Sequence, residues 1–278
     1  MQTQDVMLTV DGNPMKSFLA RPDGDEPKAA VIVLQEIFGV NKEVRRIAEL
    51  VANAGYVALA INYYHRTNPD LNEPYTPEGL QNGFAAAGNV SRATLRADVS
   101  AAITYLEGQP FVKRGKIATI GFCFGGAVAF VTATLPGLAA AIPFYGGSIA
   151  AAFPNGEPEG LADVKDIRVP LLLFFGGKDE YIDHDAIART DKALLDAGKQ
   201  MRSSATRTSV MPFSARVRPR STSTKSTTPG RKCSSSSRSS SPRVCRALPG
   251  KRRRGGSADG IRGANPVRTR RIARRAIR

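Results

Sequence analysis

Residues 116–126 read K-I-A-T-I-G-F-C-F-G-G, and the hydrophobic period of this stretch changes in the middle. Residues 117–120 form a short apolar run with β-branched side chains, which predicts a buried strand, whereas apolar residues recur at helical spacing after the cysteine. Gly121 and Gly125 flank Cys123 and permit a sharp turn from strand to helix at the edge of the sheet. Cys123 is therefore a candidate nucleophile, and the alternative is a small core residue at a tight junction.

Segments with strand and helix patterns alternate along the first 199 residues. A β-hairpin is predicted first, because two strands flank Asp11-Gly12-Asn13. Further strands are predicted at residues 29–34, 56–61, 117–120, 139–144 and 169–175, helices near residues 42–54, 97–106 and 185–197, and a long loop at residues 62–80. Parallel strands need helical crossovers, so this alternation predicts an α/β fold: a mostly parallel sheet with helices on both faces.

Charge divides the chain into two parts. Residues 1–199 contain 18 basic and 23 acidic residues, whereas Asp259 is the only acid among residues 200–278, which hold 22 basic residues. The second part is rich in Ser and Arg and lacks apolar periodicity, which predicts a disordered basic tail. We therefore expect a domain over residues 1–199, lacking its last strand and helix, and a tail over residues 200–278.

Several kinds of protein are disfavoured by what the sequence lacks. No apolar stretch is long enough to span a membrane, and the first ten residues show no basic region followed by an apolar core. This favours a cytoplasmic protein without a membrane partner. Three cysteines provide no disulfide framework, and Cys233 and Cys245 have neither metal-ligand spacing nor histidine partners. No metal or other cofactor is predicted.

Two acidic residues follow predicted strands. Asp179 ends the sequence G-G-K-D after the strand of residues 169–175, a place that suits the acid of a catalytic triad. Alternatively, Asp179 is a turn residue or the N-cap of a helix. Glu36 lies in L-Q-E-I-F-G after the strand of residues 29–34, where backbone N–H groups can build an oxyanion hole. Its charge would keep the Cys123 thiol neutral at rest, unless Glu36 is a surface residue near a helix start.

These motifs together resemble the dienelactone hydrolase family, also called carboxymethylenebutenolidase. The resemblance rests on L-Q-E-I-F-G with Glu36, G-F-C-F-G-G with Cys123 and G-G-K-D with Asp179, and it covers about residues 1–199. It implies an α/β-hydrolase fold and the hydrolysis of an unsaturated lactone, or a related ester, through a Cys-His-Asp triad.

The resemblance also assigns roles within the site. It implies that Glu36 takes the thiol proton when substrate binds, and that the backbone N–H groups of Ile37 and Phe124 form the oxyanion hole. Arginines hold the substrate carboxylate in the family, and this sequence has no convincing match for them. The substrate therefore stays open.

The sequence departs from the family at the catalytic base. In the family this histidine follows the last strand, whereas the chain contains only His65 and His184. His65 precedes the nucleophile in a long loop, so we expect it to line the cleft or the surface. His184 follows Asp179 too closely to approach Cys123 from a different loop. We therefore expect no triad histidine and a large loss of activity, because the members of a triad act as a unit.

The sequence after residue 199 offers an explanation for the missing histidine. When the third base of each codon is joined to the first two bases of the next, V-M-P-F-S-A-R at residues 210–216 can encode H-A-F-F-C-E. In the same frame, T-P-G-R-K-C at residues 228–233 can encode A-W-K-K-V and then Leu or Phe. These peptides resemble the end of the family's chain, where the histidine and a final amphipathic helix lie. We infer that a frameshift near residues 199–201 replaced the native C-terminus.

Two other functions are open at this stage. A general carboxylesterase or thioesterase would use the same triad, and nothing in residues 1–199 separates it from a lactonase. A non-enzymatic protein could instead bind nucleic acid or another polyanion through the basic tail by non-specific counterion release. The tail, however, shows neither aromatic residues between its basic ones nor a recognisable nucleic-acid-binding fold. The predicted partner is a small lactone or ester.

The frameshift hypothesis predicts the nucleotide sequence across codons 195–215. In the alternative frame this stretch should encode a strand, then the histidine where the codons of Val210 and Met211 meet, and it should continue without a stop. DNA sequencing of the gene measures this directly. A stop codon, or another residue in place of the histidine, would contradict the hypothesis.

Overall fold

A computed structural model describes residues 1–206 of the chain. The strands are β1 (Gln2–Val10), β2 (Asn13–Arg21), β3 (Lys28–Leu34), β4 (Val57–Ile61), β5 (Val112–Phe122), β6 (Leu138–Phe144), β7 (Leu171–Gly176) and β8 (Met201–Thr206). The α-helices are α1 (Lys42–Asn53), α2 (Pro77–Ala87), α3 (Arg92–Glu107), α4 (Phe124–Thr132) and α5 (His184–Asp196), with 3₁₀ turns at Gly147–Ile149 and Gly160–Asp166.

The strands form one sheet in the order β1-β2-β4-β3-β5-β6-β7-β8. The pairs β1–β2 and β2–β4 are antiparallel, and all pairs from β4 to β8 are parallel. The predicted hairpin is confirmed, since Val10 pairs with Asn13 and the two residues between them, Asp11 and Gly12, both have positive φ. Such a turn matches the natural twist of the two strands.

Helices cover both faces of the sheet, as predicted. Val44, Ala48 and Ala52 of α1 pack on one face against residues such as Val31 and Val33. The alternate residues of the same strands, including Ile32 and Leu34, face the opposite side, where α3 and α4 pack. The alternation follows from the two-residue period of a strand, and burial on both faces explains why β4, and β3 after Lys28, are continuously apolar.

The sequence predicted no strand after residue 199, and this prediction was wrong. Residues Met201–Thr206 form β8, which pairs in parallel with β7 from Leu171 to Gly176. The sequence M-R-S-S-A-T has no clear apolar alternation, so its strand pattern is weak. A strand with only one hydrogen-bonded neighbour can carry such polar side chains. The final helix that we expected to be missing, like the basic tail, lies outside the described residues.

A groove of about 570 Å³ lies along β6, β7 and β8. Its walls include the half-buried side chains of Leu172 and Phe174, which alternate with buried Leu171, Leu173 and Phe175, and also buried Ile142. This part of the sheet is therefore less well covered by residues 1–206 than the part beneath α1. No helix in residues 1–206 combines the length and the apolar character needed to cross a membrane.

Helix α2 differs from the expectation from sequence, since residues 62–80 predict a loop and α2 begins at Pro77. Thr76 caps the helix by accepting a hydrogen bond from the N–H of Gly79, and Pro77 occupies the first turn. Ser or Thr followed by proline is a helix-start signal that could have revealed α2. Gly79 and Gly83 weaken the helical pattern of α2 in the sequence. Gly83 is nevertheless needed, because a Cβ there would lie 2.6 Å from the carbonyl oxygen of Ile37.

Candidate active site

Cys123 lies on the turn between β5 and α4 with φ 54° and ψ −121°. Positive φ is unfavourable for a residue with a Cβ, so the surrounding packing must hold this conformation. The neighbouring glycines provide that packing: a Cβ on Gly121 would collide with the carbonyl oxygen of Gly125, and a Cβ on Gly125 with that of Leu34. The predicted sharp turn is present for the reason that the sequence suggested.

Two backbone hydrogen bonds fix the turn in the sheet and in the helix. The N–H of Cys123 donates to the carbonyl oxygen of Phe144 at the end of β6, at 3.1 Å. The N–H of Gly126 donates to the carbonyl oxygen of Cys123 at 2.9 Å, which begins α4. The sulfur therefore lies at the N-terminus of a helix, where unpaired N–H groups favour negative charge.

A cavity of about 190 Å³ opens beside Cys123. All five residues that the sequence analysis selected contribute to its wall: Glu36, Ile37, Cys123, Phe124 and Asp179. Most of the remaining wall is apolar or aromatic and comes from Phe38, Leu80, Phe84, Pro154, Tyr181 and Ile182. The carboxyl ends of β3, β5 and β7 bring the polar residues together, as the parallel sheet predicts.

Glu36 is buried, with an exposed fraction of only 4 %, so it is not the surface residue of the alternative interpretation. Burial raises the pKa of Glu36 to about 7, with a smaller increase from the charge of Glu43. The hydroxyl of Tyr75 donates a hydrogen bond to Oε2 of Glu36 at 2.8 Å, which opposes this rise. A carboxyl group with such a pKa can accept or release a proton near neutral pH.

The electrostatics of the cavity keep the Cys123 thiol protonated. Burial, followed by the charge of Glu36 and, less strongly, that of Asp179, raises the pKa of Cys123 to about 12. A hydrogen bond from the backbone N–H of Phe124 favours the thiolate but is the smaller influence beside burial and Glu36. The resting site therefore holds a neutral thiol, as we expected from the carboxylate at Glu36.

Asp179 follows β7 and contributes to the cavity wall. Its Oδ1 accepts hydrogen bonds from the N–H groups of Tyr181 and Ile182 at 2.9 and 3.1 Å. This is the turn geometry of the alternative interpretation, and it coexists with a place in the cavity. The two backbone donors fix the carboxylate relative to the loop.

His65 lies elsewhere in the fold. We expected it in the cleft or at the surface, and this was wrong, because its exposed fraction is 5 % and it is not part of the cavity wall. Its Nε2 lies 3.0 Å from Oδ1 of Asp98 on α3, and its Nδ1 lies 3.2 Å from the carbonyl oxygen of Pro14. The ring therefore joins α3 to β2, a role that sequence position alone could not indicate.

His184 is exposed at the start of α5 and does not contribute to the cavity wall. His65 and His184 are the two histidines of the chain, and neither borders the cavity beside the Cys123 thiol.

Three tyrosines at the site are not among the residues that the sequence predicts. Tyr75 contacts Phe38 edge to ring, with centroids 4.7 Å apart, and reaches Glu36 from the loop before α2. Tyr145 follows β6 with φ 39°, and burial followed by the charges of Glu36 and Cys123 raises its pKa. Tyr181 borders the cavity next to Asp179. Only Tyr145 had a sequence signal, its place after a predicted strand.

A mostly parallel sheet with helices on both faces, and a sharp strand-to-helix turn carrying a candidate nucleophile, defines an α/β-hydrolase. The Dienelactone hydrolase family matches residues 15–206. The chain belongs to this family.

Individual relatives agree with this assignment. A "Putative carboxymethylenebutenolidase" of Synechocystis sp. is 37% identical over 177 residues, which are 64% of this chain and 72% of that protein. The carboxymethylenebutenolidase of Pseudomonas putida is 27% identical over 184 residues, 66% of this chain and 74% of that protein. The crystal structure of a "Putative Dienelactone Hydrolase" from Klebsiella pneumoniae matches with a TM-score of 0.66 and 26% identity, over 73% of this chain and 84% of that one.

The hydrogen bond from Tyr75 to Glu36 generates a prediction for Tyr75→Phe. Loss of a donor that favours the charged carboxylate should raise the pKa of Glu36 above about 7. A rise of about 1–2 units is expected, since a hydrogen bond to a charged group contributes ~1.5–3 kcal/mol and one unit corresponds to ~1.36 kcal/mol. A ¹³C NMR titration of the Glu36 carboxyl carbon measures it. Tyr105→Phe, on α3, is the control and should leave the titration unchanged; an unchanged pKa in Tyr75→Phe would contradict the assignment.

Proposed function

We propose that this member of the dienelactone hydrolase family cleaves a lactone or ester bond through an acyl-enzyme formed on Cys123. The observation that supports this most strongly is the place of Cys123: a residue with φ 54° at the start of α4, beside a cavity that also contains Glu36 and Asp179. A strained conformation held by close-packed glycines has a cost, and such strain concentrates at functional sites.

In the proposed reaction the sulfur of Cys123 attacks the carbonyl carbon of the substrate. The new C–S bond produces a tetrahedral intermediate, and its collapse breaks the C–O bond. The leaving oxygen becomes an alkoxide, which in a lactone stays attached to the acyl part, and takes up the proton that left the thiol. Water then cleaves the thioester to give the acid and the free thiol. The N–H groups of Ile37 and Phe124 are the proposed donors to the oxyanion, since both residues border the cavity at the nucleophile.

Glu36 is the proposed acceptor of the thiol proton. Its pKa of about 7 suits proton transfer at neutral pH, and its charge raises the pKa of the neighbouring thiol. Because the pKa of Cys123 is about 12, the proton remains on sulfur until substrate enters. Asp179 is the proposed triad acid, held by the two backbone N–H groups of its loop.

The activity of this chain should be impaired, because neither of its two histidines contributes to the cavity wall. Without an imidazole, Asp179 has no base to orient, and the release of the acyl group loses its general base. Removal of a triad base typically lowers the rate by several orders of magnitude. We therefore expect slow hydrolysis in which the acyl-enzyme persists.

A general carboxylesterase or thioesterase would show the same behaviour with simple acyl substrates. A comparison of hydrolysis rates for lactones and for aryl esters separates this alternative from a lactonase.

The proposed nucleophile is tested by Cys123→Ala. In the unaltered chain, a p-nitrophenyl ester should release p-nitrophenolate and leave an acyl group on Cys123, which peptide mass spectrometry of an acid-quenched sample locates. Cys123→Ala should abolish both signals. The matched control replaces both other cysteines, Cys233→Ala with Cys245→Ala, and should retain both. An acyl group on a different residue, or undiminished release from Cys123→Ala, would refute the proposal.

The proposed role of Glu36 is tested by Glu36→Gln, which should change two rates in opposite directions. Above about pH 7 the variant lacks a charge that raises the pKa of Cys123, so alkylation of the thiol by iodoacetamide should accelerate by up to about tenfold. Hydrolysis should fall by about 10²-fold or more, because the proton acceptor is lost. Glu180→Gln removes an exposed acid next to Asp179 and is the control. A parallel change of both rates would show that Glu36 affects only access to the thiol.

A further inference from the structure

We propose that the cavity beside Cys123 accepts uncharged lactones or esters with an apolar acyl part and excludes substrates that carry a carboxylate. This inference rests on the proposed function, because it names the substrate class of the same nucleophile. It is carried by the charges and the apolar surface of the cavity wall.

The charges of the wall are acidic. Glu36 and Asp179 both border the cavity, and the part of the wall formed by residues 1–206 contains no lysine, arginine or histidine. Lys178 precedes Asp179 in the sequence, but it is exposed and does not belong to the wall. A carboxylate bound here would lose its hydration and face two acidic groups without a counter-charge from residues 1–206.

Arginines on nearby elements are held by other acids. Arg189 of α5 approaches the turn that follows β6, where its Nη1 donates to the carbonyl oxygen of Ala150 at 3.2 Å. Its Nη2 lies 2.7 Å from both carboxylate oxygens of Glu159. Arg92 and Arg96 of α3 share the carboxylate of Asp163. Each of these guanidinium groups would have to break an ion pair to serve a substrate anion.

The entrance of the cavity is apolar. Phe84 of α2 and Tyr181 of the loop after β7 border the cavity, yet 54% and 82% of their surfaces are exposed. Leu80, one turn before Phe84, borders it as well. The close approach of α2 at Gly83 to the carbonyl oxygen of Ile37 holds these side chains over the site. Exposed large apolar side chains at the mouth of a pocket favour an apolar ligand, which would remove their surface from water.

Thiol alkylation tests the charge preference without requiring turnover. Iodoacetamide and iodoacetate are nearly the same size and differ by one negative charge, and with either reagent sulfur displaces iodide to form a C–S bond. The full-length chain is treated with each reagent at the same pH, and peptide mass spectrometry gives the rate at each cysteine. The ratio of the iodoacetamide rate to the iodoacetate rate at Cys123 should exceed that of a small free thiol by about tenfold or more, which corresponds to ~1.4 kcal/mol.

The two other cysteines of the same protein serve as internal references, because their sequence neighbours are basic. Cys233 follows Arg231 and Lys232, and Cys245 lies between Arg243 and Arg246 in the sequence. Their basic neighbours should shift the ratio toward iodoacetate. A ratio at Cys123 equal to or below that of the free thiol would overturn the inference. A basic residue beyond residue 206 that supplied a counter-charge would give this contradicting result as well.

A cation added at the cavity mouth should reverse the preference in part. Phe84→Arg places a guanidinium at an exposed wall position of α2, and Phe84→Gln is the neutral control. We expect the ratio at Cys123 to fall about two- to fivefold in Phe84→Arg relative to Phe84→Gln, the range for an exposed charge pair. An equal ratio in the two variants would show that the missing cation does not set the preference.

Matched esters extend the test to acyl transfer. p-Nitrophenyl butanoate and mono-p-nitrophenyl succinate have acyl chains of equal length, and only the succinate carries a terminal carboxylate. Acylation of Cys123 by the butanoate should be faster by about tenfold or more. Equal acylation rates would overturn the charge preference while leaving the nucleophile intact. If Cys123 reacted with none of the four reagents while Cys233 and Cys245 were alkylated, the proposed function would fail, and the preference with it.

Discussion

The close approach of backbone atoms around the turn at Cys123 is the constraint on which the site depends. Gly121 and Gly125 leave no room for a Cβ, so the strand and the helix meet at van der Waals distance and hold Cys123 at positive φ. The hydrogen bond from Cys123 to Phe144 ties this turn to the neighbouring strand. Because the sheet is parallel here, the same edge also receives Glu36 and Asp179, and the cavity results from these strand ends together.

The electrostatics of that cavity oppose the ionisation of Cys123 that the proposed nucleophilic attack requires. Burial raises the pKa values of both Cys123 and Glu36, and each negative charge in the cavity raises the cost of another. Tyr75 partly relieves this by donating to Glu36. A neutral thiol is slow to react with stray electrophiles, and an incoming substrate meets mostly apolar surface around one thiol and two acids.

The family match covers residues 15–206, whereas the histidine that the resemblance implies would be expected after the last strand. The family match ends at residue 206, which is also the last residue that the structure describes, and β8 is the outermost strand beside β7 within these residues. Within residues 1–206, the groove along β6 to β8 leaves this part of the sheet less well covered than the part beneath α1. Neither histidine of the chain borders the cavity, so the proposed triad has no imidazole there.

The sequence by itself determined the α/β class, the turn at Cys123 and the places of Glu36 and Asp179 after strands, because period changes and glycine spacing are local properties. Only the tertiary structure decided that Glu36 is buried against Tyr75, that His65 pairs with Asp98, and that α2 covers the cavity. Residues 201–206 likewise became a strand only beside β7. Each of these depends on contacts between residues distant in sequence, which no local pattern records.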